Sequence, residues 1–234
     1  MIIDILTGFP EMFTGFVNRS IIRNAMLAGA AEIWVHDLRH YTSDRHGKID
    51  DAPYGGGAGM VMMAQPVWAA VDALSKVRAG EPLRIYLSPQ GKTLTQATVR
   101  DLSVRPWIVL LAGHYKDMDA RIFERDPWTE MSIGDFVLSG GELPAAVLVD
   151  AVVRLQAGAI SDAESAATDS FEDGLLDAPY YTMPEAINGL RVPDVLLSGH
   201  HEKVRVWREE QRQLRTQARR PDLWNAYQAR EKKK

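Results

Sequence analysis

The sequence contains no cysteine among its 234 residues. This absence excludes disulfide frameworks, cysteine-based zinc sites, thiol catalysis and iron–sulfur clusters. It also contains no apolar run near the ~20 residues that a membrane helix requires. The amino terminus reads Met-Ile-Ile-Asp and lacks the basic flank of a secretory signal. We therefore expect a protein that works in the reducing cytoplasm and has no membrane partner.

Two common nucleotide-binding signatures are also missing. No Gly-x-Gly-x-x-Gly follows the first predicted strand, and no Gly-x-x-x-x-Gly-Lys-Ser/Thr is present. Residues Tyr54–Met60 are rich in glycine, but they lack the lysine and do not lie between a strand and a helix. A dinucleotide or triphosphate ligand is therefore disfavoured. This segment is either a flexible loop or a loop that closes over a ligand.

Strands and helices alternate along the first two thirds of the chain. Apolar runs predict strands over residues 1–6, 32–38, 83–87 and 107–111, and periodic segments predict helices over about 10–28, 65–77, 95–102 and 142–155. Residues 39–59 are expected to be loop. This alternation predicts an α/β domain over residues 1–160, with a parallel sheet and helices on both faces. A linker is predicted over 161–174 and a small, mostly helical domain over 175–234.

Three glycine-containing breaks follow predicted strands of this sheet. They are Ser88–Gly91, Gly113–Tyr115, and Ile133–Phe136 with Gly140-Gly141. Ligands of parallel sheets bind outside the carboxyl ends of the strands, and glycine lets the backbone approach a ligand closely. Any one of these breaks is compatible with an ordinary turn. Together they favour a small-molecule site.

Charge is distributed unevenly. Residues 200–234 hold 11 Lys and Arg against 5 Asp and Glu, whereas residues 1–199 hold 16 against 26. A basic helix is predicted over about 202–219, and arginines at alternating spacings of three and four share one of its faces. They include Arg205, Arg208, Arg212 and Arg215. A neighbouring stripe is expected to dock the helix and comprises Val204, Trp207, Gln211, Leu214 and Ala218. The arginine face is either a solvated surface or, as we favour, a contact surface for nucleic-acid phosphates.

Several longer motifs carry a family resemblance across the whole chain. They are Thr7–Phe13, Asp51–Met60, Ser88–Gly91, Ser132–Pro144, Asp169–Phe171, Gly174–Asp177 and Val195–Gly199. Together these strings resemble the bacterial tRNA (guanine-N1)-methyltransferases. The resemblance implies a SPOUT-type fold, in which the first domain carries a trefoil knot in its C-terminal part. It implies S-adenosylmethionine as the methyl donor and tRNA as the substrate. It also implies a homodimer with each site completed across the interface.

The implied reaction is methylation of N1 of the guanine immediately 3′ of the anticodon, where another guanine precedes it. Because guanine N1 carries a proton, the reaction requires a base. Asp169 matches the general base of the family, and Arg154 matches an arginine that stabilises charge on guanine O6. The cofactor-binding residues implied by the resemblance are Tyr86, Leu87, Ser88, Pro89, Gly113, Tyr115, Ser132, Ile133, Gly134, Asp135, Phe136, Val137, Leu138, Gly140, Gly141 and Pro144.

One motif departs from the family pattern. Family members commonly read Gly-Arg-Tyr-Glu-Gly where this chain has Gly113-His-Tyr-Lys-Asp117. In the family that glutamate is tied to magnesium dependence. A charged lysine at position 116 cannot ligate a metal, so Mg²⁺ use is doubtful here and no metal site is predicted. Asp117 is the alternative ligand.

Two other functions remain open on the sequence. One is a SPOUT relative that methylates ribose 2′-hydroxyls, and the other is a non-catalytic RNA-binding module that uses the sheet to dimerise. On residue type alone, Asp169 is a turn or helix-cap residue, and Arg154 is a surface arginine near a helix C-terminus.

Overall fold

The computed structural model describes residues 1–160 and 169–232, and its contacts divide the chain near residue 161 into two units. The strands of the first unit are β1 (Ile2–Thr7), β2 (Glu32–Asp37), β3 (Asp50–Asp51), β4 (Val61–Met62), β5 (Leu83–Thr93), β6 (Trp107–Ala112), β7 (Asp117–Met118) and β8 (Thr129–Ser132). Its α-helices are α1 (Thr14–Val17), α2 (Ser20–Leu27), α3 (Ala64–Val77), α4 (Gln96–Ser103), α5 (Arg121–Arg125) and α6 (Glu142–Val153). Short 3₁₀ helices cover Pro10–Phe13 and Leu38–Tyr41.

The central sheet has five strands in the order β2-β1-β6-β5-β8. Each neighbouring pair is parallel. The predicted parallel α/β architecture is thus confirmed. All the carboxyl ends of these strands consequently lie at one edge of the sheet, where ligands bind in this class of fold.

Strand β6 is buried on both faces of the sheet. Ile108 and Leu110 belong to one hydrophobic core, with residues of α2, α4 and α6. Val109 and Leu111 belong to a second core, with residues of α3 and α5. Because side chains alternate along a strand, one continuous apolar run supplies both cores. This is why the run from residue 107 contains no polar residue.

Strand β5 does not end where the sequence predicted. Leu87 and Lys92 both lie opposite Met131 of β8, so residues 88–91 leave the pairing and the chain then rejoins the same neighbour. A Cβ on Gly91 would lie 2.4 Å from the Met131 amide nitrogen. The Ser88–Gly91 break is therefore an excursion within a strand that continues to Thr93. A local turn signal cannot show that a chain returns to its sheet.

The expected loop over residues 39–59 also contains ordered elements. The 3₁₀ helix Leu38–Tyr41 enters it, and β3 pairs with β4 in a second, three-stranded sheet of order β3-β4-β7. Since β7 follows β6, this small sheet fixes the base of the glycine-rich segment beside the end of β6.

The second unit contains the strands β9 (Ala186–Ile187) and β10 (Leu190–Arg191) and the helices α7 (Asp194–Leu197), α8 (His201–Arg219) and α9 (Pro221–Glu231). The sequence predicted α8 but made it the last helix, which is wrong. Because Pro221 disfavours a helical conformation at Arg220, α8 ends at Arg219. Pro221 itself occupies the first position of α9, where proline is well tolerated.

The docking face of α8 also differs from the predicted stripe. Leu214 is 57% exposed, whereas Thr216 is fully buried. The Thr216 hydroxyl accepts a hydrogen bond from the Leu176 amide at 2.8 Å. The face that packs against residues 170–178 is therefore polar and includes Arg212.

Candidate functional site

A cleft lies at the excursion of β5 and at the carboxyl ends of β6 and β8. It is lined by three segments, which are residues 86–89, residues 113–117 and residues 131–144 without Asp135, Glu142 and Leu143. These segments overlap the three predicted glycine-containing breaks, which the structure thus brings together, although Gln90 and Gly91 of the first break do not line the cleft. All the predicted cofactor-binding residues except Asp135 line this cleft.

Asp135 does not line the cleft and is exposed. The sequence in turn missed five lining residues, which are His114, Lys116, Asp117, Met131 and Ser139. Four of them are adjacent in sequence to a predicted residue, and Asp117 lies two positions after Tyr115. The sequence therefore predicted which loops line the cleft. Which residues of each loop face the cleft depends on backbone geometry.

Glycines allow β6 and α6 to meet at the base of the cleft. The Gly141 amide donates to the Gly113 carbonyl at 2.6 Å. A Cβ on Gly141 would lie 2.9 Å from both the Ala112 Cα and the Gly113 nitrogen, which is too close for any side chain. The amino terminus of α6 thus lies directly against the end of β6. Its first amides are near the cleft, where they favour polar or anionic groups.

A buried polar cluster supports this junction. The carboxylate of Glu142, which is 2% exposed, accepts a hydrogen bond from the Thr7 hydroxyl at 2.9 Å. His114 Nδ1 lies 3.3 Å from the other carboxylate oxygen, and the Phe9 ring packs on the imidazole with centroids 4.4 Å apart. Because a buried carboxylate is costly without partners, these contacts hold β1, the Gly113 loop and α6 in one arrangement.

Tyr86 supplies a neutral hydroxyl at the cleft. Its hydroxyl donates to Asp117 Oδ1 at 3.3 Å, and the same oxygen accepts the Met118 amide at 2.7 Å. Burial, reinforced by the Asp117 carboxylate, raises the pKa of Tyr86 above its ordinary value. The phenol therefore stays protonated at neutral pH and orders the Asp117 side chain.

The glycine-rich segment is anchored next to this cleft. The Lys116 amide donates to the Met60 carbonyl at 2.9 Å, and β4 pairs with β7. At the tip, Tyr54 is fully exposed, and Gly55, Gly56 and Gly57 all have positive φ. The base of this segment is thus fixed, while the glycines at its tip have a backbone conformation that other residues rarely adopt.

The two predicted catalytic residues lie in different units. Arg154 is half-buried and directly follows α6. Asp169 is half-buried, and its carbonyl accepts the Glu172 amide at 3.3 Å. The part of the predicted linker over 161–168 lies outside the described residues.

The predicted arginine face of α8 is not uniformly solvated. Arg212 has a side chain only 14% exposed and pairs with Asp173 at 2.5 Å and Glu209 at 2.9 Å. Arg215 donates to the Asp177 carbonyl at 3.2 Å. The expectation that both lie on a solvent-facing phosphate surface is corrected, because the loop over 170–178 packs on this side of α8.

The other two arginines lie at the surface of this unit. Arg205 is exposed but bonded to Glu202 at 2.6 Å. Arg208 is exposed, and its guanidinium carbon lies 6.0 Å from the centre of the Tyr180 ring. Within the described parts of the chain, no carboxylate lies within ion-pair distance of Arg208. Of these four arginines, Arg208 is therefore the one best placed to meet an external anion.

Comparison with known proteins gives a consistent result. The model of the family described as tRNA (Guanine-1)-methyltransferase TrmD matches residues 1–226. Three relatives bear the name tRNA (guanine-N(1)-)-methyltransferase. One from Pseudoalteromonas atlantica is 48% identical over 94% of this chain and 83% of its own length. One from Shouchella clausii is 47% identical over 97% of this chain and 93% of its own length. One from Ruminiclostridium cellulolyticum is 48% identical over 95% of this chain and 95% of its own length. With a match of this extent at this identity, the chain belongs to the tRNA (guanine-1)-methyltransferase family, as the motifs around the cleft had indicated.

Proposed function

We propose that this chain is an enzyme that transfers a methyl group from S-adenosylmethionine to N1 of the guanine 3′ of the anticodon in tRNA. The observation that carries the proposal is the cleft formed by the excursion of β5 and the ends of β6 and β8. It gathers all the expected cofactor-binding residues but one. The family match and the names of the relatives support the same reaction.

The residues of this cleft fit the proposed donor. Leu87, Ile133, Leu138 and Pro144 supply apolar surface for a purine, and the surrounding loops supply backbone donors and acceptors for its edge and ribose. The enclosed space is about 140 Å³, below the roughly 300–1,000 Å³ of typical ligand sites. A bound nucleoside therefore extends outward past Phe136 and Val137, which are 53% and 83% exposed.

When bound, the donor supplies an activated methyl group on a sulfonium, and the chain supplies alignment and proton removal. Asp169 accepts the proton from guanine N1, so that the nitrogen lone pair becomes available to the methyl carbon. The bond from sulfur to methyl breaks as the bond from N1 to methyl forms. Arg154 stabilises the negative charge that deprotonation places on guanine O6.

The doubt about magnesium rests on the residue at position 116. Lys116 is cationic and does not ligate a metal, and Oδ1 of Asp117 accepts hydrogen bonds from Tyr86 and the Met118 amide. Across residues 1–160 and 169–232, no group of three or more histidine or acidic side chains is arranged to hold a metal. No step of the proposed reaction is therefore assigned to Mg²⁺.

The knot and the homodimer belong to the same proposal. The knot is proposed on the family match alone. A dimer is supported by exposed apolar side chains beside the cleft. Leu143 and Val147 share one face of α6 and are 56% and 49% exposed. The partner protomer is proposed to complete each active site across this face.

The proposed setting is the cytoplasm, where tRNA is modified. In the described part of the chain, none of the helices combines the length and apolarity needed to cross a bilayer.

Incubation of the purified protein with labelled S-adenosylmethionine and an unmodified tRNA transcript tests the proposal. Identification of the labelled nucleoside should give 1-methylguanosine, and a transcript with adenine in place of the target guanine should remain unlabelled. A label on a ribose 2′-oxygen would assign the chain to the sugar-methylating relatives. Binding of tRNA without any transfer would make it an RNA-binding module.

A further inference from the structure

A second cleft lies entirely within the second unit, between residues 179–185 and the helices α7 and α8. It encloses about 700 Å³, within the roughly 300–1,000 Å³ of ligand sites. Its walls include Tyr180, Tyr181, Met183, Leu197, Val204 and Arg208. We call it the tyrosine cleft.

The walls of the tyrosine cleft are apolar and aromatic but remain exposed. Tyr180 is 65% exposed, Met183 is 90% exposed and Leu197 is 48% exposed. Among residues 169–232, the buried hydrophobic side chains are only Leu175 and Ala178. Large apolar side chains grouped around a concave surface are typical of a binding site.

The cleft is preformed by polar contacts around it. The Tyr180 hydroxyl donates to Asp177 Oδ2 at 2.9 Å, which fixes the ring. The Val192 amide donates to the Glu185 carbonyl at 2.9 Å. Glu185 also pairs with Arg191 at 2.6 Å, so the one carboxylate in the lining has its charge matched.

The charge of the lining favours an anionic occupant. Arg208 lies at the cleft against the Tyr180 ring, and no carboxylate of the described residues is within ion-pair distance of it. By contrast, Arg205 and Arg212 of the same helix are both paired. A purely apolar occupant, such as a peptide segment, would remove water from Arg208 without giving it a partner.

A tyrosine ring with a guanidinium over it has the chemistry that recognises a nucleotide, since this guanidinium has no carboxylate partner among the described residues. An unstacked base lies against the aromatic ring, and its phosphate oxygens accept hydrogen bonds from the arginine. From these contacts we infer that the tyrosine cleft binds one unstacked nucleotide of the RNA substrate, with the base on Tyr180 and the phosphate at Arg208. This inference rests on the proposed function for the identity of the RNA, and it adds a binding site that is separate from the donor cleft.

The test measures the affinity of the full-length protein for an unmodified tRNA transcript at several salt concentrations. Tyr180→Leu keeps apolar bulk but removes the aromatic face, and we expect a roughly 5- to 100-fold weaker Kd. Tyr180→Phe keeps the aromatic face and loses only the hydroxyl and its bond to Asp177, so it should bind tRNA much more tightly than Tyr180→Leu. Arg208→Gln should weaken binding and reduce the salt slope by about one. Calorimetric titration with S-adenosylmethionine should give the same donor affinity for every variant.

A double-mutant cycle sharpens the test. If one nucleotide touches both side chains, the losses of tRNA-binding free energy caused by Tyr180→Leu and Arg208→Gln should not add up in the double variant. Lys203→Gln removes a cation of the same helix that does not line the cleft, and its effect should add to that of Tyr180→Leu.

Three results would overturn the inference. Wild-type tRNA affinity in both Tyr180→Leu and Arg208→Gln would remove the cleft from RNA binding. A change of those variants from dimer to monomer, with tRNA affinity lost only as a consequence, would assign the cleft to a second copy of the chain. A wild-type protein that binds no tRNA would overturn the proposed function as well, whereas the first two results leave that function intact.

Discussion

Glu142, the first residue of α6, accepts a hydrogen bond from Thr7, the last residue of β1, across 135 positions of sequence. The two side chains are buried, and the contact joins the first strand to the helix that closes the donor cleft. A buried, bonded carboxylate at this junction makes the geometry of the cleft sensitive to residues that do not line it.

Thr7→Val should therefore destabilise the protein while conserving side-chain shape. The substitution removes one donor to a buried carboxylate, and we expect the free energy of unfolding to fall by about 1–3 kcal/mol. Urea denaturation measures this change. Thr129→Val, at an exposed position of β8, is the matched control and should have little effect. Equal urea midpoints for the two variants would show that the Thr7 contact contributes nothing to the free energy of unfolding.

Gly141→Ala should disrupt the donor cleft. The added methyl would lie 2.9 Å from the Ala112 Cα and the Gly113 nitrogen, and these backbone atoms cannot move aside independently. We expect a lower melting temperature and at least tenfold weaker binding of S-adenosylmethionine, measured by calorimetry. Gly15→Ala adds a methyl that meets nothing within 4 Å in α1 and should be neutral or slightly stabilising. If Gly141→Ala bound the donor normally, the close approach of β6 and α6 would not matter for binding.

Asp169→Asn should separate donor binding from methyl transfer. Since the amide cannot accept the N1 proton, we expect transfer to fall by about 10²- to 10⁴-fold, while donor affinity stays near that of the wild type. Single-turnover assays with labelled donor measure the transfer step. Glu172→Gln, three residues away, provides the control for loss of a nearby carboxylate. Near-normal turnover by Asp169→Asn would exclude Asp169 as the base.

Arg212→Gln should lower stability in a pH-dependent way. Partial burial raises the pKa of Asp173, but hydrogen bonds from Arg212 and from the Leu175 amide outweigh it and hold that pKa below its ordinary value. A depressed folded-state pKa stabilises the protein above the unfolded value of about 3.9, and this contribution is lost as pH falls through the folded value. The difference in unfolding free energy between wild type and variant should thus be constant from about pH 5 to 8 and shrink below about pH 4.

The size of that difference should be about 1–2 kcal/mol at neutral pH, because Asp173 is half exposed and solvent screens the pair. Arg205→Gln removes an arginine from a fully exposed pair on the same helix and should leave the free energy of unfolding nearly unchanged, because solvent screens that pair. Urea titrations across the pH range measure both variants. An Arg212→Gln effect no larger than that of Arg205→Gln, or one that grows at low pH, would contradict the assignment.

Val147→Glu should convert the proposed dimer to a monomer. The substitution places a charge on the exposed apolar face of α6, where partner burial would leave it unpaired. Light scattering coupled to size-exclusion chromatography measures the mass, and transfer activity should fall with dissociation. Val77→Glu, at an exposed valine at the end of α3, is the control. A fully dimeric Val147→Glu would place the dimer interface elsewhere.

The sequence by itself determined the architecture of the first unit and the place of the donor cleft. The continuous apolar run from Trp107 predicted a strand buried on both faces, and the burial of every residue of β6 confirms it. Because parallel strands end at one edge, glycine breaks after three strands were enough to place a cleft there. The family motifs then identified the residues that line it, apart from Asp135.

Only the tertiary structure decided which way individual side chains face. The spacing of Arg212 and Arg208 placed both on one side of α8, but packing of residues 170–178 buries the first and leaves the second exposed. His114 likewise lies in the cleft because Glu142, distant in sequence, holds it there. Helical periodicity fixes which residues neighbour each other along one helix, whereas burial depends on which distant segment covers that face, and local sequence does not encode this.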